Sequence, residues 1–512
     1  MVSRRSSYLA CLAGLTALYL CSLRAYYVGF FNDDAFYLIG ARSLLSGGFR
    51  ELNAPGAPPL TLYLPGYPLL LALWSRFAGQ STLAAQLLSV ALTLAGVGLM
   101  WTWLAAELPA ATAFAAVAVT AFNPLTVSMS GTVLSDIPFF VLTILFFLAA
   151  RCVWESRQTW SWAGLGALSG AAFLIRPTGA GLTLALILAL LGEGRWRRAA
   201  WAAAGAALIA APWLVRNRLV EGAPLAYASQ LAAPWRDPAA LSGLCTRLAR
   251  NAAFYGPGLF WKTWFRWPSW PGWAALRWLT VAGGVAAVGA GWRAWGLRGW
   301  RKLMTVYLLI YAVLHLELHL QSGRYIFTAL PMLAPLFFLG LDAAQRRFGL
   351  KDRLVLGAAA LSLALSLAPV GSVVRASWRP HSPLNTPPLK TLAWIRDHTV
   401  ATDIFAAELD GRLYLLTGRR TVRLRKIYEP EVFSAWLRTA EVRYVLAAPN
   451  DYFMTTVSGG TSHDPMPLDR LHVLLSDGRR YRRVFTDPQE GAEVFQVLSG
   501  AIVPAPSTRS SW

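Results

Sequence analysis

Adjacent carboxylates, Asp33 and Asp34, stand straight after the first apolar block, in Phe31-Asn32-Asp33-Asp34-Ala35-Phe36-Tyr37. An acidic pair at the end of such a block is costly to strip of water and ordinarily faces water, a cation or a substrate. A plain structural role is also open to it, because Asn32 or Asp33 could cap a helix running through Ser46. Another carboxylate, Asp136 in Ser135-Asp136-Ile137-Pro138, opens a later apolar block, the one near 137–154. With Pro138 in the first turn it carries a helix-start signal, and capping and ligand binding are compatible roles for it. Arginines stand at comparable block ends: Arg176 in Ile175-Arg176-Pro177, Arg216 before Asn217, and Arg324 in Gly323-Arg324-Tyr325. Snorkelling to headgroups is the common fate of such residues. Beside acidic loops they also ask for an anion, and a phosphate, which a guanidinium grips bidentately, is the obvious one. His315 and His319 share a helix face at i and i+4, while Glu317 points elsewhere. A metal would lack its third ligand there, so the pair reads as polar cavity lining.

These side chains need a membrane scaffold to position them. The chain is 55% hydrophobic and only 14% charged over 512 residues, more apolar surface than a soluble core can hide. Its apolar blocks each approach the ~20 residues that cross hydrocarbon, and about eleven spans are predicted. They lie near 8–30, 82–106, 109–128, 137–154, 160–176, 178–193, 199–216, 273–291, 303–321, 325–342 and 354–371. The first block has no small-residue cleavage site before Asn32, so it reads as a permanent helix and not as a signal peptide. A net charge of +21 would suggest nucleic acid in a soluble protein. Here the basic residues crowd into short loops, where orientation signals and anionic lipids account for them, and no nucleic-acid partner is expected. Cys11, Cys21 and Cys152 fall in or beside apolar blocks and Cys245 in a loop, without a disulfide frame or metal spacing.

Lys and Arg concentrate at 4–5, 151–157, 195–198, 293–302 and 346–353, which marks these as cytoplasmic. Counting back puts residues 31–81, Asp136, Arg176, the segment 217–272, Arg324 and everything after about 372 on the outer side. That count requires 65–79 not to cross. The stretch is short and opens with Pro65, Gly66 and Pro68, so it is expected to lie along the outer interface. The loop at Glu107 to Ala110 has no basic residue to mark its side. A Trp-rich stretch, 261–278, suits an interfacial loop.

The expected fold is thus an all-α polytopic membrane domain, 1–374, with interfacial helices in its first outer loop, followed by a small extracytoplasmic α/β domain, 375–512. Strands are expected at 403–407, 442–447, 482–485 and 493–497, and helices at 389–398 and 431–439.

In order and content, several of these segments resemble the GT-C superfamily of membrane glycosyltransferases. The resemblance is to the bacterial branch related to protein O-mannosyltransferases and the lipid A aminoarabinose transferase. It is carried by Asp33 to Tyr37 with Ala41-Arg42, Leu64-Pro65-Gly66-Tyr67-Pro68-Leu69, Ser135 to Pro138, Phe173 to Pro177, Pro212-Trp213 with Arg216-Asn217, and Gly323-Arg324-Tyr325 with Leu330-Pro331. Where many relatives have a basic residue before Pro-Pro, this chain has Leu64-Pro65-Gly66, and its acidic pair is Asp-Asp rather than Asp-Glu.

The resemblance implies a polyprenyl-phosphate-sugar donor and a lipid, glycan or protein acceptor at an outward cavity of the bacterial inner membrane. By that analogy Asp33 is the general base, Asp34 its neighbour that positions it or shares a cation, and Asp136 the second acidic residue. Arg324 binds the donor phosphate, with Arg176, Arg216, Tyr67, Tyr325 and His319 as further substrate-binding residues. A divalent cation is left open as a cofactor, with Asp33, Asp34 and Asp136 as its ligands if one is used. The chemistry suits these groups independently: a hydroxyl attacking an anomeric carbon needs a carboxylate to take its proton, and a leaving phosphate needs positive charge rather than an acid. A transporter would be expected to show an internal repeat and matching broken helices. A polymerase or ligase of surface polysaccharide would lack an acidic pair straight after the first helix, and against a catalytically silent partner subunit weigh the retained Asp33 and Asp136.

Overall fold

Proline and capping signals decide where the apolar helices begin and end. The computed structural model describes residues 4–24, 26–222, 240–257, 264–265, 271–317, 321–350, 352–378, 388–448 and 466–498. Two compact units result, one of residues 1–26 and 61–380, the other of residues 27–60 and 381–512. The helices up to the end of the first unit are α1 (Arg4–Cys21), α2 (Asp33–Leu45), α3 (Gly66–Ala78), α4 (Thr82–Ala105), α5 (Ala110–Ala121), α6 (Pro124–Met129), α7 (Asp136–Val153), α8 (Thr159–Ile175), α9 (Ala180–Leu191), α10 (Trp196–Glu221), α11 (Ala240–Pro257), α12 (Ala274–Trp295), α13 (Trp300–Glu317), α14 (Arg324–Arg347) and α15 (Arg353–Trp378). All but α2 belong to the first unit.

Among the described residues, 6 helices (α4, α7, α10, α12, α14 and α15) are long and apolar enough to cross a membrane. Shorter apolar helices cover Ala10–Cys21, Ala110–Ala121, Thr159–Ile175 and Pro177–Leu191. The chain is a multi-pass membrane protein.

Local chemistry explains where these helices depart from the expected spans. The first does not run to Phe30 but stops at Cys21. Beyond it Ser22 Oγ donates to the Tyr19 and Val127 carbonyls, and Gln86 Nε2 donates to the Leu23 and Gly131 carbonyls. The backbone thus finds partners outside a helix. The 109–128 block breaks at Asn123, whose side chain accepts from Leu125 N at 2.9 Å and caps a new helix with Pro124 in its first position. The 65–79 stretch forms α3, 13 residues and roughly 20 Å long, too short to span ~30 Å of hydrocarbon. It buries Tyr67, Pro68, Leu71 and Ala72 and leaves Leu69, Leu73 and Phe77 exposed along one stripe. Residue Cys245, expected in a loop, lies in helix α11.

The unmarked loop at Glu107 acquires partners. Its carboxylate pairs with Arg151 at the end of α7 and, at 2.7 Å, with Arg301 at the start of α13. Glu107 is nearly buried whereas both arginines are about half exposed. Glu107→Ala is expected to lower stability by about 2 kcal/mol, the scale of charge-assisted bonds to a partly screened site, read as a lower unfolding temperature in detergent. An unchanged midpoint would show that the pairs contribute nothing. Small residues set a close crossing, that of α12 on α14. Gly291 and Gly340 each sit so near the facing backbone that a Cβ would collide with it.

In the second unit, β1 (Ile404–Ala407), β2 (Arg420–Arg423), β3 (Tyr444–Ala447), β4 (Tyr481–Asp487) and β5 (Ala492–Val497) form a mixed sheet in the order β2-β1-β3-β5-β4. Strand β1 pairs in parallel with β2 and β3, and β5 pairs antiparallel with β3 and β4. Strands β1 and β3 are buried throughout, as the centre of a sheet covered on both faces must be. Helices α18 (Pro430–Thr439) and α19 (Leu468–Leu475) fill one face with Phe433, Leu437, Leu471 and Leu474. Helices α16 (Leu389–His398) and α17 (Asp410–Thr417) fill the other with Leu392, Ile395 and Leu413. The expected strands near 403, 442, 482 and 493 and both expected helices are present, while β2, α17 and α19 are additional. The edge strand β2 does not end in solvent: Thr421 N donates to the Asn53 carbonyl at 2.7 Å, so the 49–60 hairpin covers that edge.

Candidate active site

Pro177 shapes the centre of the first unit. A residue before proline is disfavoured in the helical region, so α8 stops at Ile175 and Arg176 is extended, with φ −153° and ψ 135°. Its guanidinium ion-pairs with Asp136 and lies 5.4 Å over the Tyr325 ring. Arg324, the first residue of α14, brings its Nε to 3.4 Å from Asp136 Oδ2. Asp136 itself is the first residue of α7 and has no solvent exposure. One buried carboxylate therefore stands between two guanidiniums, and the trio carries one more positive than negative charge. Pairing makes such burial tolerable, and guanidiniums are the groups that grip an anion bidentately. This trio lies at the opposite end of α7 from Arg151 and Glu107.

Tyr325 joins the trio to an aromatic and polar layer. Tyr311 Oη donates to the Tyr325 carbonyl at 2.8 Å, and the His315 ring stacks on Tyr311 at 3.9 Å and meets the edge of Tyr325 at 4.8 Å. His315 Nδ1 is 2.8 Å from the Tyr311 carbonyl; a carbonyl can only accept, so this nitrogen carries the proton. Asn251 of α11 closes the layer by donating to the His315 and Leu316 carbonyls at 3.3 and 2.7 Å, and Gln321 Nε2 donates to Asn251 Oδ1 at 2.9 Å. These are carbonyls of the last turn of a helix, which need outside donors. Sequence reading missed Asn251 and Tyr311. The helix that carries Asn251 is amphipathic and too polar for a hydropathy pattern, whereas Tyr311 lies four residues before His315 on the same face.

Tyr67 is buried near the start of α3. A Cβ on Gly66 would stand 2.6 Å from the Leu174 carbonyl oxygen, so only glycine lets α3 begin against the end of α8, two residues before Arg176. The structure thereby brings the Leu64 to Leu69 and Phe173 to Pro177 segments together. Arg216 lies 4.8 Å over the Trp213 ring and donates to Asn217 Oδ1 at 2.9 Å, and Asn217 Nδ2 donates to the Thr61 carbonyl. His319 lies outside the described residues. Among the described residues there is no group of three or more His, Cys, Asp or Glu that could hold a metal ion.

Asp33 and Asp34 belong to the second unit, where their roles separate. Asp34 is buried, and its oxygens accept from Gly29 N at 2.7 Å and its neighbour Ala35 N at 3.0 Å. Burial pushes its carboxyl up to about 7, against the Gly29 hydrogen bond and with help from adjacent Asp33. Asp34 thus closes the turn that starts α2. Asp33 is the half-buried first residue of that helix. Asn32 before it has φ +60° and ψ −40°, and Asp33 N donates across it to the Phe31 carbonyl at 2.7 Å. That is a γ-turn of the rare positive-φ kind, and strain of this sort costs about 1–3 kcal/mol.

Residues 58–215 match the family described as dolichyl-phosphate-mannose-protein mannosyltransferase. The fold is similar to that of ArnT from Cupriavidus metallidurans bound to undecaprenyl phosphate, with a TM-score of 0.57 and 12% identity over 98% of this chain and 100% of that one. It is also similar to the Archaeoglobus fulgidus oligosaccharyltransferase AglB in complex with an inhibitory peptide and a dolichol-phosphate, with a TM-score of 0.55 and 13% identity over 98% of this chain and 75% of that one. No curated protein sequence matches the chain.

Proposed function

Taking as premise a membrane glycosyltransferase of the GT-C class, similar to the mannosyltransferase and ArnT group in profile and fold, we propose that the chain moves a sugar from a polyprenyl-phosphate-linked donor to an acceptor hydroxyl. The observation that carries this reading is the gathering of two guanidiniums, those of Arg176 and Arg324, at the buried carboxylate of Asp136. Both similar structures hold a polyprenyl phosphate, and that ligand class suits a pair of guanidiniums.

In the proposed reaction Asp33 takes the proton of the acceptor hydroxyl as its oxygen attacks the anomeric carbon. The bond from that carbon to the phosphate oxygen breaks, and the polyprenyl phosphate leaves with the electron pair. Arg324, with Arg176 behind it, receives the phosphate charge. Direct displacement inverts the anomeric centre. Asp136 keeps both guanidiniums aimed. A polar layer of Tyr325, Tyr311 and His315 would lie beside the donor.

The same reading places the end of the helices bearing Glu107, Arg151 and Arg301 in the cytoplasm, by their excess of basic residues. The trio and the α/β domain then lie on the outer face of a bacterial cytoplasmic membrane, with about eleven crossings. The experiment is a membrane assay with a panel of polyprenyl-phosphate sugars, comparing the parent chain with Arg324→Ala. Losing a charge-assisted contact to phosphate is expected to raise donor KM about tenfold to hundredfold. Unchanged donor KM, or no transfer from any polyprenyl-phosphate sugar, would overturn the proposal.

A further inference from the structure

The turn before Asp33 is held from elsewhere in the chain. Asn32 Nδ2 donates to Asp410 Oδ1 at 3.2 Å, and Arg412 N donates back to Asn32 Oδ1 at 3.1 Å. The other Asp410 oxygen accepts from Asn53 Nδ2 at 3.3 Å, and Thr421 Oγ1 donates to the Asp410 carbonyl at 3.0 Å. Asn32, Asn53 and Asp410 are all buried. The first turn of α17 is pressed onto the first turn of α2: a Cβ on Gly411 would stand 2.9 Å from the Phe36 ring, and one on Gly29 2.7 Å from Arg412 Cγ. Arg412 Nη1 also donates to Tyr27 Oη at 2.6 Å.

A buried carboxylate with two amide donors is more than packing requires, since an apolar pair would fill the space without desolvating a charge. Its partner Asn32 occupies the strained γ-turn, and such strain persists only where the surroundings over-determine it. The residue that follows is Asp33.

We propose that Asp410 is a positioning residue for Asp33: by fixing the side chain of Asn32 it holds the positive-φ turn that sets the direction in which the first residue of α2 points. The sheet-bearing unit thereby aims the carboxylate that receives the acceptor's proton. This inference rests on the reading of Asp33 as the base.

The test uses the full chain in membranes, with a polyprenyl-phosphate sugar that the parent accepts. Asp410→Asn confronts an amide with one of the amides of Asn32 and Asn53, and is expected to lower kcat about tenfold to hundredfold with donor KM within about twofold, as slight misplacement of a reacting group does. Asn32→Gly keeps the backbone angle open to glycine and removes only the anchor, so the unit folds and the same fall in kcat is expected. The double variant Asn32→Asp with Asp410→Asn restores each contact: the amide introduced at position 410 donates to the carboxylate introduced at position 32 and still accepts from Asn53. Turnover within about threefold of the parent is expected, far above Asp410→Asn alone.

In an Asp33→Asn background, Asp410→Asn is expected to cost nothing further, because a residue that acts through Asp33 has nothing left to aim. Parent-like kcat in Asn32→Gly or Asp410→Asn, failure of the double variant to recover, or a further loss in the Asp33→Asn background would each overturn the positioning role. Parent-like turnover in Asp33→Asn alone would instead overturn the reading of the base, so the two failures are told apart.

Discussion

Asp33→Asn is expected to reduce sugar transfer by about 10²–10⁴-fold, the range associated with losing a positioned general base, while donor KM stays within about twofold of the parent. The amide keeps the size of the carboxylate and removes its capacity to take a proton. The fold should survive, because the side-chain hydrogen bonds at the start of α2 that involve Asp34 and Asn32 are untouched and asparagine keeps the backbone N–H of position 33 that donates to the Phe31 carbonyl. Single-turnover transfer in membranes separates this loss from a defect in donor binding. Activity within a few-fold of the parent would remove Asp33 from the role.

Asp136→Ala is expected to be the most damaging single change to the membrane unit. Its removal strands Arg176, whose side chain is 8% exposed, and leaves Arg324 without its carboxylate partner. Breaking a buried pair in this way costs about 3–5 kcal/mol, because the surviving charge keeps its desolvation penalty. A correspondingly large fall in the unfolding temperature in detergent is expected, together with loss of transfer. Asp136→Asn retains an acceptor of the same shape and should recover part of the stability. Equal midpoints for the parent and Asp136→Ala would mean that the trio is not a buried charge cluster.

The reach of sequence reasoning follows the range of the interactions. Helix α16 carries its own apolar period and was legible from residue to residue, and the strands β1, β3, β4 and β5 announced themselves by short β-branched and aromatic runs. Strand β2 escaped because Arg420 and Arg423 dominate its four residues and the parallel partner that recruits it is not adjacent in sequence. Within the site, Arg176 and Arg324 could be grouped with Asp136 because each stands at a break in an apolar block. The grouping of residues 27–60 with the C-terminal sheet had no such mark. It depends on Asn32, Asn53 and Asp410, polar residues whose partners lie hundreds of positions away, and pairing at that range leaves no local period.

That distance has a consequence for how the protein is made. Asp410 lies 378 residues after Asn32, so at ordinary elongation rates of ~5–20 residues per second its carboxylate emerges about 20 to 75 s later. During that interval the nascent chain carries α2 without the partner that fixes its first turn. The segment bearing Asp33 therefore reaches its final form only after the last apolar helices and the residues through Asp410 have been synthesised, which makes it one of the earliest parts made and one of the later ones to mature.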